Sequence, residues 1–290
     1  MERRAESNKA GLLNWDVFVT PGIPIVTEDA PPGLRETYFQ AMASTLIYGI
    51  RDAVLVDAFM TVKQASALAD WVAGGGKNLT TIYITHGHGD HWFGAGTVLE
   101  RFPNAKAVAT PNVVKVMRQH ASREVLEKVW KAGFPNQIPD SLVIAEELKG
   151  NVIDLEGHEL VAVELGHTDT DDTTCLNVPS IGLVVAGDAA YNDVHLYLAE
   201  SNEQKRLEWI SALDKIESLN PRAVVASHKR PENDDNPRII QEEPNNVPLL
   251  TFCVAVSAFV IYTHRSNIAR MRAGKEHRAR RLWLFRSRAA

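Results

Sequence analysis

Cysteine is scarce in this 290-residue chain: Cys175 and Cys253 are the only two. That excludes the disulfide framework of a small secreted domain, and neither residue sits in a Cys-x-x-Cys metal pair. A reducing compartment, the cytoplasm, is therefore expected. No secretory signal is expected either, because Met1-Glu2-Arg3-Arg4-Ala5-Glu6-Ser7-Asn8-Lys9 has no apolar stretch after its basic residues. Basic charge is short over most of the chain: up to Pro244, 35 acidic residues face 22 basic ones. An acidic body of this kind argues against a broad nucleic-acid surface. Residues 244–264 contain no charged residue at all, and residues 265–288 are then strongly basic.

What is present is an ordinary globular composition, 45% apolar and 23% charged, long enough to bury a sizeable core. Strands are expected at residues 16–21, 43–48, 53–57, 79–84 and 105–109, with helices at 62–72 and 96–102 between them. Residues 113–132 read as one helix, closed by Gly133-Phe134-Pro135, with Val113, Val116, Met117, His120, Val125, Val129 and Trp130 facing inward. His120 is read as a surface or core histidine, and Trp130 and Phe134 as packing residues. Residues 142–165 alternate apolar and polar positions around Gly150-Asn151 and Glu156-Gly157-His158, the pattern of antiparallel strands joined by turns, with His158 exposed. Strands at 174–178 and 181–186 follow, with Cys175 a buried apolar residue. A helix at 203–219 presents the stripe Leu207, Ile210, Leu213 and Ile216, and a last strand occupies 223–226. Strands alternating with helices make the expected class α/β and layered.

The densest chemistry is Thr85-His86-Gly87-His88-Gly89-Asp90-His91-Trp92. Three of the chain's ten histidines and an aspartate fall within six positions, directly after an apolar run. Imidazole nitrogen and carboxylate oxygen are the donors that zinc takes, and the two glycines let the backbone turn so that side chains converge. Three later apolar runs also lead straight into ligand chemistry, at Gly166-His167, Gly187-Asp188 and Ser227-His228.

These residues resemble the metallo-β-lactamase-fold hydrolase superfamily: His86, His88, Asp90 and His91 meet its H-x-H-x-D-H signature, and His167, Asp188 and His228 match the later ligands in order and spacing. The resemblance covers roughly residues 16–240. It implies an αββα sandwich, two mixed sheets flanked by helices, around a site for two zinc ions. It places His86, His88 and His167 on the first metal, Asp90, His91 and His228 on the second, and Asp188 between them. Asp57 is implied as the aspartate that steadies the ligand loop. Two adjacent divalent ions activate a water for attack on a carbonyl or phosphoryl centre. Asp90 is expected to orient it and carry its proton, and Tyr191 is a candidate donor to the oxyanion.

Within the superfamily, Asp188 stands where some β-lactamases use cysteine, which is similar to the lactonase, glyoxalase II and general hydrolase branches. The run Gly166-His167-Thr168-Asp169-Thr170-Asp171-Asp172-Thr173 departs from the commoner Gly-His-Thr-Pro-Gly, and its extra carboxylates disfavour anionic substrates. The expected activity is the opening of a small lactam, lactone or cyclic carbamate such as a plant benzoxazolinone, in detoxification. The alternatives are a glyoxalase-II-like thioesterase and a persulfide-oxidising enzyme with one iron on His86, His167 and Asp188. A small-molecule substrate is the expected partner, with neither nucleic acid nor membrane. The hydrolase domain is assigned to residues 1–243 and an atypical tail to 244–290. The tail is read first as a divergent or mis-spliced ending, then as a buried helix, and last as a membrane anchor.

Overall fold

The computed structural model describes residues 12–27, 36–242, 256, 259, 261–266 and 272. The chain divides into two compact units, Met1–Pro244 and Asn245–Ala290. The second unit holds the apolar and basic tail, and most of it, Cys253 included, lies outside the described residues. Among those described, no helix is long and apolar enough to cross a membrane.

The first unit opens with β1 (Asn14–Thr20) and a ribbon of β2 (Ile23–Ile25) and β3 (Thr37–Phe39). Then come β4 (Met42–Tyr48), β5 (Asp52–Val56), β6 (Asn78–Tyr83), β7 (Lys106–Ala109) and β8 (Glu146–Glu147). With β1 these make a six-stranded mixed sheet in the order β1-β4-β5-β6-β7-β8. A second mixed sheet, in the order β13-β12-β11-β10-β9, is built from β9 (Val152–Leu155), β10 (His158–Gly166), β11 (Thr173–Val178), β12 (Leu183–Asn192) and β13 (Ala223–Lys229). The helices are α1 (Val62–Gly74), α2 (Gly89–Trp92), α3 (Ala95–Arg101), α4 (Pro111–His120), α5 (Arg123–Val125), α6 (Glu203–Ser218) and α7 (Ile239–Glu242).

The apolar runs of the central strands follow from their place between two layers. On β5, Ala53 and Leu55 join the core under α1, α3 and α4, whereas Val54 and Val56 face the other sheet. On β12 and β13, Leu183, Val185, Ala223 and Val225 face inward, and Val184, Ala186, Val224 and Ala226 pack against α6. Both faces of each strand are buried, so the two-residue alternation is hidden in the sequence. The product is the expected αββα sandwich.

Several local expectations shift. Residues 113–132 form not one helix but α4, a break, α5 and a π-helical turn over Leu126–Lys131. Pro111 opens α4 in the first turn, where its missing N–H costs nothing, and Ser122 caps a fresh start by accepting from Val125. The π turn leaves Val129 57% exposed while Trp130 is buried. On α6 the buried face is Trp209, Ala212, Leu213 and Ile216, not the stripe through Leu207 and Ile210, which are exposed. Trp209 decides this rotation, because its large ring is buried and its Nε1 donates to the Ala189 carbonyl at 2.8 Å. Val62, in the first turn of α1, is exposed, and His158 is half-buried. The strand expected at 181–186 runs on to Asn192, so Asp188 lies inside β12, just as His228 lies inside β13.

Candidate metal centre

The histidine loop leaves β6 between the two sheets and is held by close packing. A Cβ on Gly87 would stand 2.3 Å from Val116 Cγ1 of α4, so only glycine lets the loop pass. Trp92 Nε1 donates to the Gly87 carbonyl at 3.0 Å and closes the loop over α2. Gly187 plays the same part opposite: its φ is +59°, and a Cβ there would lie 2.9 Å from Thr85 Oγ1.

Hydrogen bonds at the back of each ring decide which nitrogen faces the centre. Asp57, itself at φ 62°, accepts from Thr85 N at 2.9 Å, Thr85 Oγ1 at 2.9 Å and Ser227 Oγ at 3.1 Å, and from His91 Nδ1 at 2.9 Å. One carboxylate thus ties the ends of β5 and β6 to β13. The Thr85 hydroxyl spends its proton on Asp57, so it accepts from His86 Nδ1 at 3.0 Å. His228 Nδ1 donates to the Ala41 carbonyl at 3.1 Å, His167 Nδ1 to Asp171 Oδ1 at 2.7 Å, and His88 Nε2 to Glu200 Oε1 at 3.1 Å. Glu200 is fixed in turn by Thr170 Oγ1 at 2.8 Å. The other nitrogens, Nε2 of His86, His91, His167 and His228 and Nδ1 of His88, are left as candidate ligand atoms.

Those atoms meet carboxylates. His91 Nε2 lies 3.2 Å from Asp90 Oδ2 and 3.4 Å from Asp188 Oδ1. His228 Nε2 lies 3.4 Å from Asp90 Oδ2 and 3.3 Å from Asp188 Oδ2. His88 Nδ1 is 2.7 Å from Asp169 Oδ2, and His86 Nε2 is 3.6 Å from the same oxygen. Three sets of donor atoms each converge within 4.8 Å: His86, His91 and Asp188; His86, His88 and Asp169; Asp90, His91 and His228. Nε2 of His86, His91 and His167, Asp169 Oδ2 and Asp188 Oδ1 are buried without a hydrogen-bond partner. Lone pairs facing one another in a dry site repel unless positive charge stands between them. The donor set therefore fits divalent cations of the zinc type.

The electrostatics agree. Burial opposes charge on His88, yet the Asp169, Glu200 and Asp90 carboxylates outweigh it and hold the imidazole well above its usual range. At His228 burial is likewise overcome, chiefly by Asp188, and the pKa rises to about 10. Burial would raise the Asp90 carboxyl, but His91 and His228 pull it well below the usual carboxylate range. The cluster is thus a deep trap for positive charge.

Six of the seven sequence-nominated ligands, His86, His88, Asp90, His91, Asp188 and His228, enter these converging sets. His167 is the one absent from the three converging sets, although its Nε2 is buried and unpartnered behind the bond to Asp171. The Tyr191 hydroxyl donates to Asp188 Oδ2 at 2.8 Å, and its ring stacks on His228 with an interplanar angle of 6°. Two residues went unrecognised. Asp169, fully buried, enters a converging set, and the signal for it was the loss of the Pro-Gly continuation after His167-Thr168. Glu200 reaches His88 from 112 residues away, which no local pattern encodes. His120 belongs to no converging set; half-buried at the end of α4, its ring sits 5.2 Å from that of His88.

A cavity of about 610 Å³ opens over the cluster, a size suited to a small ligand. Its floor is His88, Asp90, Asp169, Asp188, Glu200 and His228, and its walls are Ile25 and Phe39 from the ribbon and Val125, Val129, Trp130 and Phe134 from the helical side. Trp130 and Phe134, expected in packing, do pack in the core and also face the cavity. No lysine or arginine lines it among the described residues.

With this geometry in place, the matching sequence family is decisive. The profile of the metallo-beta-lactamase superfamily matches residues 41–228, from the start of β4 to the last candidate ligand. The chain belongs to that superfamily. A metallo-beta-lactamase from Pontibacter korlensis superposes with a TM-score of 0.56 at 14% identity, covering 79% of this chain and 97% of that one. A metallo-beta-lactamase family protein from Thermus thermophilus gives 0.55 at 18% identity, covering 80% and 79%. FIM-1 from Pseudomonas aeruginosa, in a mono-zinc form, gives 0.54 at 13% identity, covering 77% and 92%. At these identities the solved structures speak for the fold alone. A comparison with curated proteins finds no match. The superfamily and the buried His/Asp cluster together make the chain a metal-dependent hydrolase.

Proposed function

We propose that this metallohydrolase holds two zinc ions and opens a small, uncharged cyclic amide or ester: a lactam, a lactone, or a cyclic carbamate of the benzoxazolinone kind. One observation carries the reading. The apolar, aromatic cavity is lined by no lysine or arginine among its described residues, so it favours a flat neutral body and offers no basic side chain to grip an anionic group. That counts against a thioesterase acting on an anionic thiol conjugate.

His86, His88 and His167 would hold one ion, Asp90, His91 and His228 the other, with Asp188 between. Bound there, the metals supply a water-derived nucleophile near neutral pH and a Lewis acid for the carbonyl oxygen. Asp90, at the cavity floor, orients the attacking water and passes its proton to the leaving nitrogen or oxygen. Phe39 and Trp130 fix the ring of the substrate and exclude bulk water. Tyr191 stays protonated, since burial and then the Asp188 charge push its hydroxyl well above the usual phenol range. Turned from Asp188 toward the cavity, that hydroxyl donates to the developing oxyanion. The imidazole and carboxylate donor set supports zinc as the ion, and the unpaired buried Cys175 supports a reducing compartment such as the cytoplasm.

The test is a hydrolysis screen of purified, zinc-loaded protein on neutral lactams, lactones and cyclic carbamates beside anionic thioesters and phosphodiesters, with metal content measured on the same sample. Turnover confined to the neutral cyclic compounds, with about two zinc per chain, is the expected result. A preference for anionic thioesters or phosphodiesters, or one iron per chain, would sink the reading.

A further inference from the structure

We propose that Asp169 is an additional protein ligand of the first metal, beside His86, His88 and His167. The inference rests on the metallohydrolase reading above, and it changes what that first site is.

Asp169 lies in the turn between β10 and β11 and is fully buried. Its Oδ1 is occupied, accepting from Thr168 Oγ1 at 2.9 Å. That bond directs Oδ2 at His88 Nδ1, 2.7 Å away, and His86 Nε2, 3.6 Å away. Oδ2 has no hydrogen-bond partner. The two imidazoles do not need to reach it as donors. Glu200 takes the Nε2 proton of His88, and the Thr85 hydroxyl, its own proton given to Asp57, takes the Nδ1 proton of His86. With those protons directed away, two imidazole lone pairs and one carboxylate lone pair can be aimed at one point in a dry site, an arrangement that a metal cation stabilises.

The turn is shaped for this. Gly166 at φ +88° and Asp172 at φ 59° reverse the chain within a few residues, and the Thr168 amide donates to the Thr170 carbonyl at 2.9 Å. Neighbouring groups clamp it from both sides. Asp171 is bound by His167 and by Lys205 Nζ at 3.1 Å, and Thr170 by Glu200. Four protein ligands close a tetrahedral site, whereas three leave a position open for water or substrate. With Asp188 shared, the first site would then carry one protein ligand more than the second, so water or substrate is taken up more readily at the second.

The experiment uses the full chain, stripped by chelator and titrated with cobalt(II), reading stoichiometry, affinity and the ligand-field absorption of each equivalent, for the native protein, Asp169→Ala and Asp169→Asn. Losing a residue that merely orients a ligand costs about 10–100-fold in affinity. Both variants should weaken the first equivalent beyond that range and change its absorption, while the second equivalent binds as before. Asn preserves shape and hydrogen bonding; if it matches the native protein in affinity and spectrum, Asp169 only orients His88 and the proposal fails. A crystal structure of the zinc-loaded native chain decides the matter even where a variant does not fold. An Asp169 oxygen at about 2.0–2.2 Å from the first ion supports ligation, and none within coordination distance of it refutes it. A native chain that takes up no metal overturns the metallohydrolase reading itself, whereas two ions bound without Asp169 overturn only this inference.

Discussion

The floor and the wall of the cavity are built on opposite rules. On the floor nearly every polar group is oriented by another polar group behind it, with Asp57 alone serving Thr85, His91 and Ser227. The wall is held by shape: Phe39 and Phe134 meet edge-on at 5.4 Å, and Trp130 packs edge-on against Phe93 at 5.3 Å. Satisfied polar networks fix geometry closely and tolerate little change, whereas apolar walls accept changes of size with graded loss. The chemistry of this hydrolase therefore resides in the floor, and its choice of substrate in the wall.

Breaking the floor should have the largest effect. Asp90→Asn is expected to lower turnover by about 10²–10⁴-fold, the usual contribution of a proton-transferring group, with circular dichroism unchanged. Near-native turnover from that variant would refute the assignment. Asp57→Ala touches no proposed ion directly yet releases His91, Thr85 and Ser227, so metal affinity should fall by about 10–100-fold in a chelator competition. Its thermal midpoint should fall as well.

The wall offers a gentler test. Val129→Ala removes apolar area from the cavity at a residue that is already 57% exposed. It should raise KM for the true substrate by up to about tenfold, with kcat little changed and stability within about 0.5 kcal/mol. A fall in kcat as large as that of Asp90→Asn would erase the division between floor and wall.

Away from the site, Glu156 gives the smallest effect. Its carboxylate accepts from the amides of Asp52, Arg51 and Ile50 at 2.8, 2.6 and 2.9 Å, clamping the β4–β5 turn, and these bonds hold its pKa at about 2 against an ordinary 4.5. A depressed folded-state pKa stabilises the fold fully above the unfolded value and loses that contribution as pH falls through the folded one. Glu156→Gln should therefore melt below the native protein at pH 6, with the gap closing between about pH 4.5 and 2. A gap independent of pH would show that shape, not charge, does the clamping.

How much of this could be read from the chain follows the same division. His86, His88, Asp90 and His91 sit within six positions on a glycine-bearing loop, so their convergence is local and visible. His167, Asp188 and His228 became visible through spacing after apolar strands. The wall was not legible: Val113 to Ala132 promised a single helix, and the break at Ser122 with the π turn behind it places Val129 and Trp130 over the site. Nor was the face of α6 legible, because its rotation is set by Trp209 reaching Ala189 on another element.

By itself the sequence determined that strands alternate with helices, since such runs are local properties of the chain, and it determined the donor atoms offered to a metal, whereas the αββα order was implied by the family resemblance. Only the tertiary structure decided which ring nitrogen faces inward, that Asp169 and Glu200 join His88, and that no lysine or arginine among the described residues lines the cavity. Those outcomes depend on side chains as far apart as His88 and Glu200, or Asp57 and Ser227, and only packing the two sheets together brings such groups within bonding distance.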